Sequence, residues 1–149
     1  MRSTTCPVLI TLLATALMAG CSGVPSGLVE PNLVAQSIQI EPASPVESTP
    51  FNVTVGFTNS GSNISTANFD IRLRILDSSN GRVYEEIKRY TSDVDEDELV
   101  RVSFRPAVTL SSGTYFAESF IDVSGEVDES DEDDNDRRYE FIVAPADDG

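Results

Sequence analysis

Carboxylates dominate the reactive inventory of this sequence. Asp93, Asp95, Glu96, Asp97 and Glu98 place five acids in six positions, and Glu126 to Asp136 places eight in eleven. Such runs offer hard oxygen ligands in excess, and Ca²⁺ takes six to eight of them at ~2.3–2.6 Å. Asp122, Asp128, Glu129, Asp131 and Asp133 form the candidate ligand set. Asp131-x-Asp133-x-Asn135 echoes the opening of an EF-hand loop. However, Asp136 stands where that loop needs Gly, and Ile142 where it needs a bidentate Glu. An EF-hand is therefore excluded, and a metal centre here would be an irregular site between loops. The competing reading is a solvated acidic face that keeps the protein soluble.

Other chemistries lack their residues. The 149-residue chain has 25 Asp+Glu against 10 Lys+Arg, no His, no Trp and two Cys, for a net charge of −15. Without His there is no Ser-His-Asp or Cys-His catalysis and no imidazole-ligated metal. An isoelectric point near 4.1 opposes binding to nucleic-acid phosphates. Neither a Gly-rich phosphate loop nor a nucleophile elbow is present. Paired carboxylates would suffice for a glycosidase, but these lie in loop tips with few aromatics to hold a sugar. The expectation is a protein that is not an enzyme and has no required cofactor, with Ca²⁺ the candidate ion for its carboxylates.

Cys21 carries a different chemistry. Arg2 is followed by an apolar run from Val8 to Met18, then by Ala19, Gly20 and Cys21. The run makes about 16 Å of helix, too short for a ~30 Å hydrocarbon core, and reads as an export signal. Leu17-Met18-Ala19-Gly20-Cys21 resembles the lipobox of bacterial lipoproteins, although that pattern prefers Leu where Met18 stands. The resemblance implies cleavage after Gly20, diacylglycerol on the Cys21 sulfur and acylation of the new amino group. The other reading is plain secretion with cleavage near Ala19 or Gly20. Cys6 leaves with the signal, so the lipidated mature chain has no thiol and no disulfide. Ser22 after the Cys resembles the outer-membrane default of Gram-negative lipoproteins. The expected location is the bacterial cell envelope, with the membrane as first partner through the lipid.

The elements that must position these residues show strand periodicity. After a tether over 21–31, apolar residues alternate with polar ones between turn signals. Leu33 to Ile40 is the first candidate strand. Phe51, Val53, Val55 and Phe57 share one face of the second, and Phe69, Ile71, Leu73 and Ile75 one face of the third. Asn80-Gly81 marks a hairpin into Val83 to Tyr90. Val100, Val102 and Phe104 mark a fifth strand, Tyr115, Ala117, Ile121 and Val123 a sixth, and Tyr139, Phe141 and Val143 a seventh. Seven such strands without a helical period predict an all-β fold, a seven-stranded antiparallel immunoglobulin-like β-sandwich over 32–144, followed by an acidic tail over 145–149. Tyr115, after Gly113, stands where a tyrosine corner would bond back to the preceding turn. A plain core Tyr fits equally well.

Residues 32–143 resemble CARDB, the cell-adhesion-related domain of bacteria. The resemblance rests on Asn32-Leu33-Val34, Phe57-Thr-Asn59-Ser-Gly61 and Gly113-Thr-Tyr115. Above all it rests on Ile121-Asp122 followed by Val127-Asp-Glu129-Ser-Asp-Glu132-Asp-Asp-Asn135. It implies an immunoglobulin-like fold in an extracytoplasmic setting and implies no reaction. Because the motif contains Glu129 and Asn135, these two are expected to bond backbone groups and hold the long connection in place.

Two further expectations follow from simple alternation of the strands. Both acid clusters emerge at one end of the sandwich, which concentrates 13 carboxylates there. If Tyr115, Ala117 and Ile121 point inward, Phe116 and Phe120 point outward, with Arg72 and Arg74 on one neighbouring strand and Arg138 on the other. Exposed aromatics beside Arg are the composition of protein-docking surfaces, so Phe116, Phe120, Arg72 and Arg74 are the candidate partner-binding residues. Cation–π cover of an ordinary sheet surface is the alternative. The functional expectation is a lipid-anchored, non-catalytic binding or scaffolding module that contacts another envelope or surface protein. The alternative is a calcium-binding adhesion module.

Overall fold

The structure, a computed structural model, describes residues 29–147. Seven strands follow in order: β1 (Leu33–Glu41), β2 (Asn52–Asn59), β3 (Phe69–Asp77), β4 (Arg82–Tyr90), β5 (Leu99–Phe104), β6 (Gly113–Phe120) and β7 (Asp136–Val143). They form a three-stranded sheet, β1-β2-β5, and a four-stranded sheet, β4-β3-β6-β7, with every ladder antiparallel. Among the described residues there is no helix. This is the all-β, seven-stranded sandwich that the alternation predicts.

Period two places the core. Val53, Val55 and Phe57 of β2 and Phe69, Ile71, Leu73 and Ile75 of β3 are fully buried. Phe57, Phe69 and Tyr90 form one aromatic cluster, with ring centroids 5.3–5.8 Å apart. Phe51, Phe141 and Tyr115 form another, at 5.9–6.0 Å. Tyr115 stacks on Phe141, and its hydroxyl makes no hydrogen bond among the described residues. Of the two readings of Tyr115, the plain core Tyr holds.

Alternation breaks once in β1. Leu33 and Ala35 are buried, then Ile38 and Ile40, because the register shifts between Ala35 and Ser37. Opposite this bulge stands Gly56, where a Cβ would lie 2.5 Å from the Ser37 Oγ. A glycine inside a strand often marks such a close approach.

Asn80-Gly81 does reverse the chain, but not as a two-residue turn. Asn80 alone is left-handed, at φ 63°. The Asp77 Oδ1 accepts the amides of Ser79 and Gly81, both at 2.8 Å, and closes a longer loop. Short polar side chains favour this local bonding.

Because the strands alternate in direction, the 60–68, 91–98 and 121–135 connections share one end of the sandwich. Both acid clusters lie there, and the chain enters β1 at the same end.

Candidate functional site

The acidic end is built around asparagines. Asn59, at the end of β2, is fully buried. Its Oδ1 accepts the amides of Asn32 at 3.0 Å and Gly61 at 3.1 Å, while its Nδ2 donates to the Ser62 carbonyl at 2.7 Å. Asn32 extends the network. Its Nδ2 donates to Ser60 Oγ at 3.2 Å and Asp134 Oδ2 at 3.1 Å, and its Oδ1 accepts the Asp131 amide at 3.0 Å. Two asparagines thus tie the entry to β1 to the β2–β3 and β6–β7 connections. Gly61 is required by proximity, since a Cβ there would lie 2.0 Å from the Glu30 carbonyl oxygen.

The carboxylates at this end are largely occupied as acceptors. Asp122 is buried in the left-handed region, at φ 47°, and takes the amides of Glu126 at 2.9 Å and Val127 at 2.7 Å. Glu129 accepts the Leu33 amide, and Asn135 Nδ2 at 3.0 Å. Burial pushes the Glu129 carboxyl up to about 7 against these two bonds, with Glu132 and Asp122 adding repulsion. Asp131 accepts the Asp133 amide at 3.0 Å, Asp93 the Thr66 amide at 2.6 Å, and Glu98 the Asp95 amide at 3.1 Å. Asp128 and Asp133 are exposed. The five candidate metal ligands therefore share one connection. No group of three Asp or Glu among the described residues is arranged to hold an ion. Glu129 does bond a backbone amide, as its place in the motif suggests, while Asn135 reaches Glu129.

The outer face of β4-β3-β6-β7 carries the second candidate. Register pairs Arg72 with Phe120 and Arg74 with Glu118 across β3 and β6, then Phe116 with Glu140 and Glu118 with Arg138 across β6 and β7. The four candidate partner-binding residues are thus brought together on one face. Arg72 lies 4.3 Å from the Phe120 ring centroid and Arg74 5.4 Å, while Arg138 lies 4.0 Å from that of Phe116. The aromatics are half-buried beneath guanidinium groups. A row of alternating charge crosses all four strands. Glu85 meets Arg74 at 2.6 Å and Glu118 meets Arg138 at 3.0 Å. Arg138 also donates to Asn80 Oδ1 at 2.6 Å, so the β3–β4 hairpin tip reaches over this face. Ile87 and Ile142 are exposed on its two edge strands, at 52% and 61%. The hairpin contact had no sequence signal. The stacking followed from the register.

The lipobox around Cys21 lies outside the described residues.

Comparison with known proteins agrees with this architecture. The family model described as CARDB matches residues 30–138. The CARDB domain of a Pyrococcus furiosus protein, solved as a crystal structure in complex with di-metal ions, is 17% identical. Its TM-score is 0.58, over 78% of this chain and 96% of that one. A solution structure of the same domain gives 18% identity and a TM-score of 0.51, over 77% and 96%. A domain of a Methanosarcina acetivorans protein assigned to the cell surface gives 18% and 0.51, over 79% and 94%. No curated protein matches the chain.

Proposed function

The chain belongs to the CARDB family, a non-enzymatic, adhesion-related family of cell-surface domains, and on that premise we propose that it is a lipid-anchored module of the bacterial envelope that docks another envelope protein. One observation carries the docking reading. The outer face of β4-β3-β6-β7 gathers Phe116, Phe120, Arg72, Arg74 and Arg138 into one aromatic and guanidinium surface on an otherwise strongly acidic protein. Arg and aromatic side chains dominate binding energy at protein interfaces. The anchoring reading rests on Leu17-Met18-Ala19-Gly20-Cys21. It places the protein at a membrane, the outer membrane in a Gram-negative cell.

Two measurements test the reading. Palmitate labelling and membrane fractionation of the full chain against Cys21→Ser test the anchor. Label lost with the thiol supports it, and an unlabelled parent protein refutes it. Site-directed photocrosslinking from position 142, beside the aromatic face, tests docking in intact cells. A single envelope protein captured there, and lost when Phe116 and Phe120 become Ser, is the expected result. Capture that survives both substitutions rejects this face.

A second reading is favoured by the Pyrococcus furiosus neighbour with its di-metal ions. In that reading Ca²⁺ lies at the acidic end. Asp128, Asp131 and Asp133 are its exposed ligands, whereas Asp122 is buried and Glu129 half-buried; Asp122, Glu129 and Asp131 each already accept a backbone amide.

A further inference from the structure

A pocket of about 280 Å³ opens where the outer sheet face meets the 121–135 connection. Arg72 forms one wall. Its neighbours on the face are paired: Arg74 and Arg82 with Glu85, Arg89 with Asp70 and Glu126, Arg138 with Glu118. Arg72 has no carboxylate partner among the described residues, and its Nε is buried without an acceptor. Burial and the adjacent Arg74 hold its pKa below the usual arginine value, against the attraction of Glu85 and Glu118, neither of which pairs with it directly. The Phe120 ring, 4.3 Å away, lies against the guanidinium. Register puts Asp136 on the other side of Phe120 from Arg72, and Glu132 and the buried Asp122 also line the pocket. Asp136 is exposed and receives no side-chain hydrogen bond from the described residues, and Glu132 accepts only the Glu129 amide, at 3.3 Å. Asn135 also lines the pocket and is only 9% exposed. Its Nδ2 is taken by Glu129, and its Oδ1 has no partner.

A guanidinium without an ion pair and two carboxylates without one thus line the same space of small-molecule size. A bare anion would be attracted by Arg72 and repelled by Asp136 and Glu132. A bare cation would meet the reverse. Only a ligand carrying both charges a few ångströms apart satisfies both. We infer that this pocket binds a small zwitterion of amino-acid size. Its carboxylate sits on Arg72, its ammonium faces Asp136 and Glu132, and its apolar part lies against Phe120 and Val123. This goes beyond the docking reading, because it needs no partner protein.

The test is an NMR titration of the ¹⁵N-labelled full chain with L-leucine, acetate and methylammonium at matched ionic strength. The Arg72 Nε–Hε and Asn135 side-chain amide signals are the readouts. Leucine is expected to shift both and to bind at least about tenfold more tightly than either single-charge probe. Arg72→Gln and Asp136→Asn are each expected to weaken leucine about tenfold. Arg72→Lys keeps the charge without the planar fork and serves if Arg72→Gln does not fold; a several-fold loss is expected. Equal binding of acetate or methylammonium overturns the inference, as does no response to leucine at about 50 mM. Loss of leucine binding with partner crosslinking intact would separate this site from the docking face.

Discussion

The carboxylate of Glu129 accepts the amide of Leu33, 96 positions earlier in the chain. One side chain thereby holds the β6–β7 connection against the first residue of β1. Its proton equilibrium is linked to folding. Folded Glu129 titrates near 7 and an unfolded glutamate near 4.5. The folded state therefore binds the proton more tightly, and this group's contribution is fully present below about pH 4.5 and lost as pH rises to about 7. Solvent access to the half-buried carboxyl reduces the effect to about 1 kcal/mol. Thermal melts between pH 5 and 8 are expected to decline less steeply in Glu129→Gln than in the parent. Parallel profiles would detach Glu129 from the pH dependence.

Asn59 is expected to be the most sensitive polar position at the acidic end. Asn59→Ala leaves the amides of Asn32 and Gly61 and the Ser62 carbonyl without their partner. The expected cost is about 3 kcal/mol in denaturant unfolding. A loss below about 1 kcal/mol would mean that water replaces these bonds freely.

Gly61→Ala tests close approach. The added methyl must displace the Glu30–Pro31 backbone, and about 2 kcal/mol of destabilisation is expected. An unchanged melting temperature would show that this entry segment shifts at no cost.

Phe120→Ser removes a half-buried ring lying against Arg72 and Arg74. The expected loss is about 1–2 kcal/mol, from cation–π contact and partial burial. Collapse of the fold would mean that the residue belongs to the core and not to a docking face.

Calcium separates the two functional readings. Many carboxylates at the acidic end already accept backbone amides. Millimolar Ca²⁺ and Mg²⁺ at matched ionic strength are therefore expected to raise the melting temperature equally, by screening. A rise with Ca²⁺ well above that with Mg²⁺ would move the metal reading to first place.

The strands were legible because a buried face repeats every second residue, as at Phe69, Ile71, Leu73 and Ile75. That Phe116 and Phe120 share a face with Arg72, Arg74 and Arg138 was legible for the same reason, but which of them meet is fixed by the register, which the alternation does not give. The asparagine network was not. Asn32 and Asn59 stand in motifs that carry the family resemblance, but no local pattern shows that they bond each other or that Asn32 reaches Asp131 and Asp134. Charge runs were opaque in another way. Asp122 bonded to two amides and Asp128 open to solvent look identical in sequence, because only the backbone path decides which carboxylate finds an N–H. The bulge in β1 left one trace, Gly56 on the opposing strand.

An odd number of strands brings the chain into the sandwich at one pole and out at the other. β1 and β7 run in the same direction, joined by the Ala35 amide on the Asp134 carbonyl at 2.9 Å and by paired bonds of Ala144 to Pro45 and Glu47 at 2.8 Å. Tension applied between the two poles would slide these segments past each other lengthwise. Their contacts would then have to break together and not one after another, as in a zipper. The segments that flank β7 are thereby the first to carry a load applied at the two ends of the sandwich.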